Sequence, residues 1–250
     1  MRSWRRTTIG EWFTGIPPMI RAIMVACVVI WLTQLVTRNA LAGIWAQLVL
    51  LPTAVLHQGR VWQLVTYQFL HDTHGLGHIL FNIFTLWMFG RDLEPRWGSG
   101  RFLAFYLTCG VGGGMAWIAM MHFTGGQPVV GASGAIMGVL TAYALIWPHR
   151  QILVMMIVPM QARHAVLVMA LIELLLAWNP KSGVANFAHL GGMATAWIYL
   201  RWGGRIGSLP RAFGRKISDL RHSWRKRRMS VVEKDWDRVL EDEDDKGRRH

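Results

Sequence analysis

The sequence predicts an all-α, polytopic membrane protein: six transmembrane helices in a bundle, with a partly embedded outer loop between the first two. Three observations point there. Of 250 residues, 52% are hydrophobic and 16% charged, against roughly 25% charged in soluble domains. Charge also avoids the middle of the chain: Ala22 to Leu200 holds eight Lys/Arg and four Asp/Glu, whereas the residues after Leu200 hold fifteen and nine. Finally, the basic residues sort to one side of a six-span topology, as cytoplasmic loops require. The expected organisation is a lead-in at 1–21, a six-span domain at 22–202 and a charged tail at 203–250.

Taken in order, span 1 covers about Ala22–Thr37, with Arg21 and Arg38 placed to snorkel at its ends. Span 2 is Gly77–Gly90, closed by Arg91. Span 3, Phe102–Phe123, follows Arg101. Span 4, Val129–Trp147, ends before Arg150. Span 5, Ala165–Trp178, follows Arg163, and span 6, Asn186–Leu200, runs into the basic tail. Several are shorter than the ~20 residues a lipid-exposed helix needs, which neighbouring helices or a thinned bilayer would permit. The segment ALAGIWAQLVLLPTAVL (40–56) is also uncharged, but Gly43, Gln47 and Pro52 weaken it as one helix. A seventh span there would invert every later loop. With six, one side carries Arg2, Arg5, Arg6, Arg21, Arg91, Arg96, Arg101, Arg150, Arg163 and the tail, and the other only Arg60 and Lys181, with Arg38 at its border. Residues 40–56 are therefore expected to be re-entrant or interfacial on the outer side.

The formal net charge of +13 does not imply nucleic acid, because the basic residues sit at chain ends and short loops and form no nucleic-acid-binding motif. Cys27 and Cys109 lie in apolar runs and suggest no disulfide framework. The N-terminus reads as a cytoplasmic lead-in and not a cleaved signal. In the tail, RHSWRKRRMS (221–230) suits anionic lipid headgroups, and EKDWDRVLEDEDD (233–245) is acidic.

This topology sends spans 2, 4 and 6 inward, so residues near their N-terminal ends share a depth toward the outer face. Those residues are His78 and Asn82, Ser133, and His189. Alone, Ser133 reads as a packing residue or one bonded to its own backbone, and either histidine as bonded to a carbonyl. Together they match a chemistry. A serine hydroxyl is a weak nucleophile until a base takes its proton, and neutral histidine is the usual base. His78 and Asn82, four apart on one helix face, can donate to a developing oxyanion, as can the Ser133 backbone N–H near a helix start. Gly131 and Gly134 flank the serine. Gly134 with Gly138, and Gly192 with Ala196, give small-xxx-small spacings that let spans 4 and 6 approach closely.

On these residues the sequence closely resembles the rhomboid family of intramembrane serine proteases, over about residues 20–202. GASG (131–134) looks like the family's GxSG motif, HILFN (78–82) like its span-2 His and Asn, and AHLGGMATA (188–196) like the HxxGxxxG of its last core span, with Ala196 in the final position. LEPRWGSGRFLAFYLTCG (93–110) resembles the loop and helix after span 2. The resemblance implies cleavage of transmembrane helices of other membrane proteins, a Ser133–His189 dyad without a third acid, no metal and no organic cofactor. It also implies an outer loop at 40–62 lying partly in the membrane. That loop usually carries Trp-Arg; GRVWQLVT (59–66) has Trp62 but Gln63, leaving Arg60 as the candidate replacement. Met137 stands where many members have an aromatic packed on the histidine. His74 stands where some have a histidine shaping the outer cavity.

Two polar features remain. His71, His74 and His78 with Asp72 raise a metal site, but Gly75 and Gly77 interrupt the ligand spacing. Glu173 is an acid inside span 5 that requires protonation or a partner near the outer end; no catalytic role is assigned to it. The expected function is an intramembrane serine endopeptidase, its partners being transmembrane substrates and the lipid bilayer and not nucleic acid. The alternatives are a proteolytically silent rhomboid-like protein that binds client helices, and a metal or solute transporter using the histidines, which would often show internal repeats. The overall plan fits a multi-pass protein of a bacterial inner membrane with both termini cytoplasmic.

Overall fold

Apolar runs punctuated by Pro and Gly become helices in the computed structural model, which describes residues 15–120, 126–154, 157–177 and 185–206. In chain order these are α1 (Pro18–Thr37), α2 (Ala42–Leu48), α3 (Pro52–Gln58), α4 (Gln63–Thr66) running into a 3-10 turn (Tyr67–Phe69), α5 (Gly77–Trp97), α6 (Ser99–Ala119), α7 (Ser133–Ile146), α8 (Ala162–Ala177) and α9 (Asn186–Ile206). Each expected span falls on one of the longer helices. The C-terminal ends proposed for spans 3 and 5, most of the N-terminal lead-in, Lys181, and the basic and acidic stretches of the tail lie outside the described residues.

Helix α1 starts four residues before the expected span because its first turn is supported from a distance. Pro18 occupies the first helical position, where a missing N–H costs nothing. The Glu94 carboxylate then accepts the N–H groups of Met19 at 2.8 Å and Ile20 at 2.9 Å, and the Ser99 hydroxyl at 2.6 Å. Glu94 thus satisfies donors that a helix start leaves unpaired and places negative charge at the positive end of the dipole. It ties α1 to the corner between α5 and α6. Glu94→Ala is expected to destabilise the fold by about 3 kcal/mol, read by a denaturation titration in detergent, because one buried and one part-buried N–H group lose a charged acceptor.

The segment 40–56 is not one helix. It breaks at Val49–Leu51, where Leu50 and Val129 exchange backbone hydrogen bonds of 3.2 and 2.9 Å in an isolated antiparallel bridge. Pro52 starts the second piece, α3. A short hairpin, Gln151–Val154 paired antiparallel with Val158–Gln161, joins α7 to α8. It is a small departure from the all-α expectation, formed by a run rich in Ile, Leu and Val that the span assignment left as a loop. At its base Arg150 pairs with Asp92 at 2.7 Å.

Helix α7 is the centre of the bundle: every residue from Gly134 to Ala144 is buried, as expected of a helix apolar all round. The outer helices show the reverse pattern. Val25, Val29, Leu32 and Val36 on α1, and Leu167, Leu171 and Leu175 on α8, are exposed, Val36 by 83%. Such faces suit lipid contact and not water. Helices α1 and α6 are each long and apolar enough to cross a membrane. Residues Met1–Gly203 form one compact unit; of a second, Gly204–His250, only the end of α9 is described.

Candidate active site

The approach to Ser133 is extended and not helical, unlike the expected span from Val129. The Leu50 bridge holds Val129, and the Gly131 N–H donates to the Tyr67 carbonyl at 3.0 Å. Gly131 then turns the chain with φ +126°, a region side chains rarely adopt, and α7 begins at Ser133. As the first residue of its helix, Ser133 has no intrahelical acceptor for its N–H. A methyl group on Gly131 would lie 2.8 Å from His78 Nε2 and 3.7 Å from Ser133 Oγ. Both atoms therefore border the same small space, which only glycine leaves open.

His189 enters from the first turn of α9, its N–H bonded to the Ala185 carbonyl at 3.1 Å. Its Nε2 is 2.7 Å from Ser133 Oγ, across 56 residues of sequence. The histidine is buried and the serine partly open, so the hydroxyl is reachable while its partner is shielded. Small residues make this contact possible. A Cβ on Gly192 would overlap the carbonyl of Gly134, and one on Gly138 would lie 2.6 Å from Cys109 Cβ and Sγ and 3.2 Å from the Gly192 carbonyl. Helices α7 and α9 meet through these glycines, at the positions the small-xxx-small spacing singled out. A second close approach, unread in the sequence, brings α6 to α9. There, Gly113 faces the Ala188 carbonyl, 2.6 Å from where its Cβ would stand.

His189 has a second partner. Its Nδ1 lies 2.9 Å from Glu173 Oε1 on α8, with both side chains largely buried (9% and 13% exposed). Sequence reasoning asked for a partner to Glu173 but did not find this one. The available signal was topological: span 5 runs outward, so an acid near its C-terminal end reaches the depth of His189.

His78 and Asn82 sit on the first turns of α5. The Asp72 backbone N–H donates to His78 Nδ1 at 3.4 Å, which leaves the ring proton on Nε2, the atom facing the space over Gly131. Asn82 is buried and its Nδ2 donates to the His78 carbonyl at 2.9 Å, while its Oδ1 has no hydrogen-bond partner among the described residues. Asn82 thus braces the turn that carries His78, and Nδ2 keeps a second hydrogen. His74 does not join this group: it is exposed and pairs with Asp72 at 2.6 Å. The His74 N–H and imidazole hold the Asp72 carboxyl below its ordinary range. His71 is buried, its ring centroid 5.3 Å from that of His78. Burial first, and the nearby His78 second, push His71 down to about 4. Among the described residues no three His, Cys, Asp or Glu side chains converge as metal ligands.

The outer loop is tied by Gln63, and not by Arg60 as the sequence suggested. Gln63 is fully buried; its Oε1 accepts the Leu51 N–H at 3.0 Å and its Nε2 donates to the Gln47 carbonyl at 3.2 Å. Trp62 Nε1 donates to the same carbonyl at 2.9 Å. The neutral amide suits the site because it must both accept and donate, which a guanidinium cannot. Arg60 makes no side-chain hydrogen bond or ion pair among the described residues. Met137 is buried within the bundle core.

This arrangement can move a proton from a hydroxyl to an imidazole, with His78 Nε2 bordering the same small space. The Rhomboid domain family matches residues 58–205. Rhomboid protease GluP of Bacillus subtilis is 40% identical over 89 residues, 36% of this chain and 16% of that protein. RHOMBOID-like protein 4 of Arabidopsis thaliana is 35% identical over 141 residues, 55% of this chain and 32% of its own length. Putative rhomboid protease YdcA of Bacillus subtilis is 26% identical over 198 residues, 77% of this chain and 92% of that protein. The chain thus spans a third or less of GluP and RHOMBOID-like protein 4 and most of YdcA.

Proposed function

The chain belongs to the rhomboid family, and on that basis we propose that it is an intramembrane serine endopeptidase that cuts transmembrane segments of other membrane proteins with Ser133 and His189. The observation that most supports this is the 2.7 Å contact between Ser133 Oγ and His189 Nε2, made between two helices.

In this reading Ser133 Oγ attacks the scissile carbonyl carbon as its proton passes to His189 Nε2. The carbonyl π electrons move to oxygen, and the resulting oxyanion is met by the Ser133 backbone N–H, His78 Nε2–H and the free hydrogen of Asn82 Nδ2. The tetrahedral intermediate collapses, the C–N bond breaks, and the leaving amine takes the proton from His189. Water then attacks the acyl carbon, giving its proton to His189; the second tetrahedral intermediate collapses, the ester C–Oγ bond breaks, and Ser133 Oγ leaves as it takes the proton back from His189. No metal or organic cofactor is required. Gly131, Gly134 and Gly192 keep the site open and the helices close, and Met137 is one of the core side chains of the same helix as Ser133.

A helix of 14 residues rises about 21 Å, short of the ~30 Å hydrocarbon layer. In this reading the recessed end of α7 is the Ser133 end, beneath the outer surface, where water enters from outside. In the same reading both termini are cytoplasmic, the membrane is a bacterial inner membrane, and His74 stands at the outer mouth of the cavity.

The test is reconstitution in liposomes with a single-span substrate. Cutting within the span, with a serine-directed phosphonate labelling Ser133 and blocking the cut, is the expected result. Absence of cutting across a panel of such substrates together with no label on Ser133 would overturn the proposal in favour of a client-binding protein.

A further inference from the structure

Glu173 gives no proton to substrate in the chemistry above, yet it touches His189 on the side away from Ser133. We propose that Glu173 is a positioning residue for the general base, so that the reacting pair on α7 and α9 is aligned by an acid from α8. The inference rests on the protease reading of Ser133 and His189.

The geometry follows from what each atom needs. For Ser133 to donate to His189 Nε2, that nitrogen must present its lone pair, so the ring proton must sit on Nδ1. Nδ1 lies 2.9 Å from Glu173 Oε1, and a carboxylate there accepts that proton's hydrogen bond. It selects the productive tautomer, fixes the ring plane, and favours the imidazolium that forms when Ser133 is deprotonated. The setting strengthens the effect, because a charge pair shielded from water interacts far more strongly than one at the surface. Among the described residues His189 is the hydrogen-bond partner of Glu173, and Glu173 Oε2 has none. Its helix neighbours Ile172, Leu174, Leu175 and Leu176 are apolar and exposed. An acid on such a helix carries a desolvation cost that packing alone does not repay. Other titratable groups near this part of the site among the described residues include His78, across Gly131 with His71 beside it, and Tyr67, whose hydroxyl lies 3.6 Å from where a Cβ on Gly134 would stand.

The experiment compares the full-length wild type with Glu173→Gln, which keeps size and polarity, and Glu173→Asp. Glu173→Gln is expected to lower kcat at least about tenfold with KM changed less than about twofold, since orientation and imidazolium stabilisation act in the transition state. Glu173→Asp recovers part of the loss. A merely structural contact would move stability without separating kcat from KM. An unchanged kcat in Glu173→Gln, with wild-type cutting intact, would overturn the proposal and leave the protease reading standing. A second measurement does not depend on activity: NMR of protein labelled with 15N-histidine. The wild type is expected to show His189 protonated on Nδ1 with a low-field proton that Glu173→Gln loses. The same signal in both proteins would overturn the pairing whether or not any substrate is cut.

Discussion

Ser133→Ala is expected to abolish cutting of a reconstituted transmembrane substrate, with kcat falling on the order of 10³-fold or more, to the detection limit. His189→Ala is expected to do the same, and the double variant to be no worse than either single one. The reason lies in the 2.7 Å contact between them. A hydroxyl without its base is a poor nucleophile, and a base without its hydroxyl has nothing to activate, so the two act as one unit. Neither side chain is large, and of the two His189 is buried while Ser133 is partly open. Ser133→Ala should therefore keep wild-type unfolding behaviour, which separates lost chemistry from lost structure. Substantial cutting by purified Ser133→Ala would remove the nucleophile from the proposal.

Gly192→Val should be nearly as damaging to activity, through packing. A Cβ on Gly192 would overlap the Gly134 carbonyl, one residue from the nucleophile. Backbone cannot swing aside as a flexible side chain can, so α9 must retreat from α7. Overpacking of this kind typically costs about 1–3 kcal/mol, and a backbone-to-backbone overlap belongs at the upper end. The catalytic effect is larger than the thermodynamic one, because a misplacement of ~1 Å between reacting groups can cost ~10²-fold in rate. Gly192→Val is thus expected to lose at least about 10²-fold in kcat/KM while losing only part of its stability. Gly100→Ala is the matched control: a methyl there meets nothing within 4 Å, so activity and stability should stay at wild type. Comparable losses in both variants would mean that the tight α7–α9 crossing is not what holds Ser133 against His189.

Much of the site was legible because its residues stand out locally. Ser133 between two glycines, His189 before Gly191 and Gly192, and the His78–Asn82 pair are polar groups in apolar runs, where polar groups are costly. What could not be read was where a side chain finds its partner. Gln63 looked like the loss of an arginine, yet its amide ties Leu51 to Gln47. Glu94 looked like one charge in a loop motif, yet it caps a helix that starts 76 residues earlier. Glu173 looked like an acid in search of a partner, and the partner proved to be His189. Ser133 was read inside a helix that in fact begins at it, because the positive φ of Gly131 is a backbone choice that composition does not reveal.

By itself, then, the sequence determined which segments form the longer helices and which polar residues interrupt the apolar runs. Hydropathy, small-residue spacing and charge bias are properties of the chain taken in order, and they act through the bilayer and the helix repeat, which are the same for every such protein. The tertiary structure alone decided that Glu173 meets His189, that Gln63 braces the outer loop and that Gly192 seats against Gly134. Those outcomes depend on how far each helix is rotated and how closely two backbones approach, quantities of an ångström or two that arise only when all the helices are packed at once.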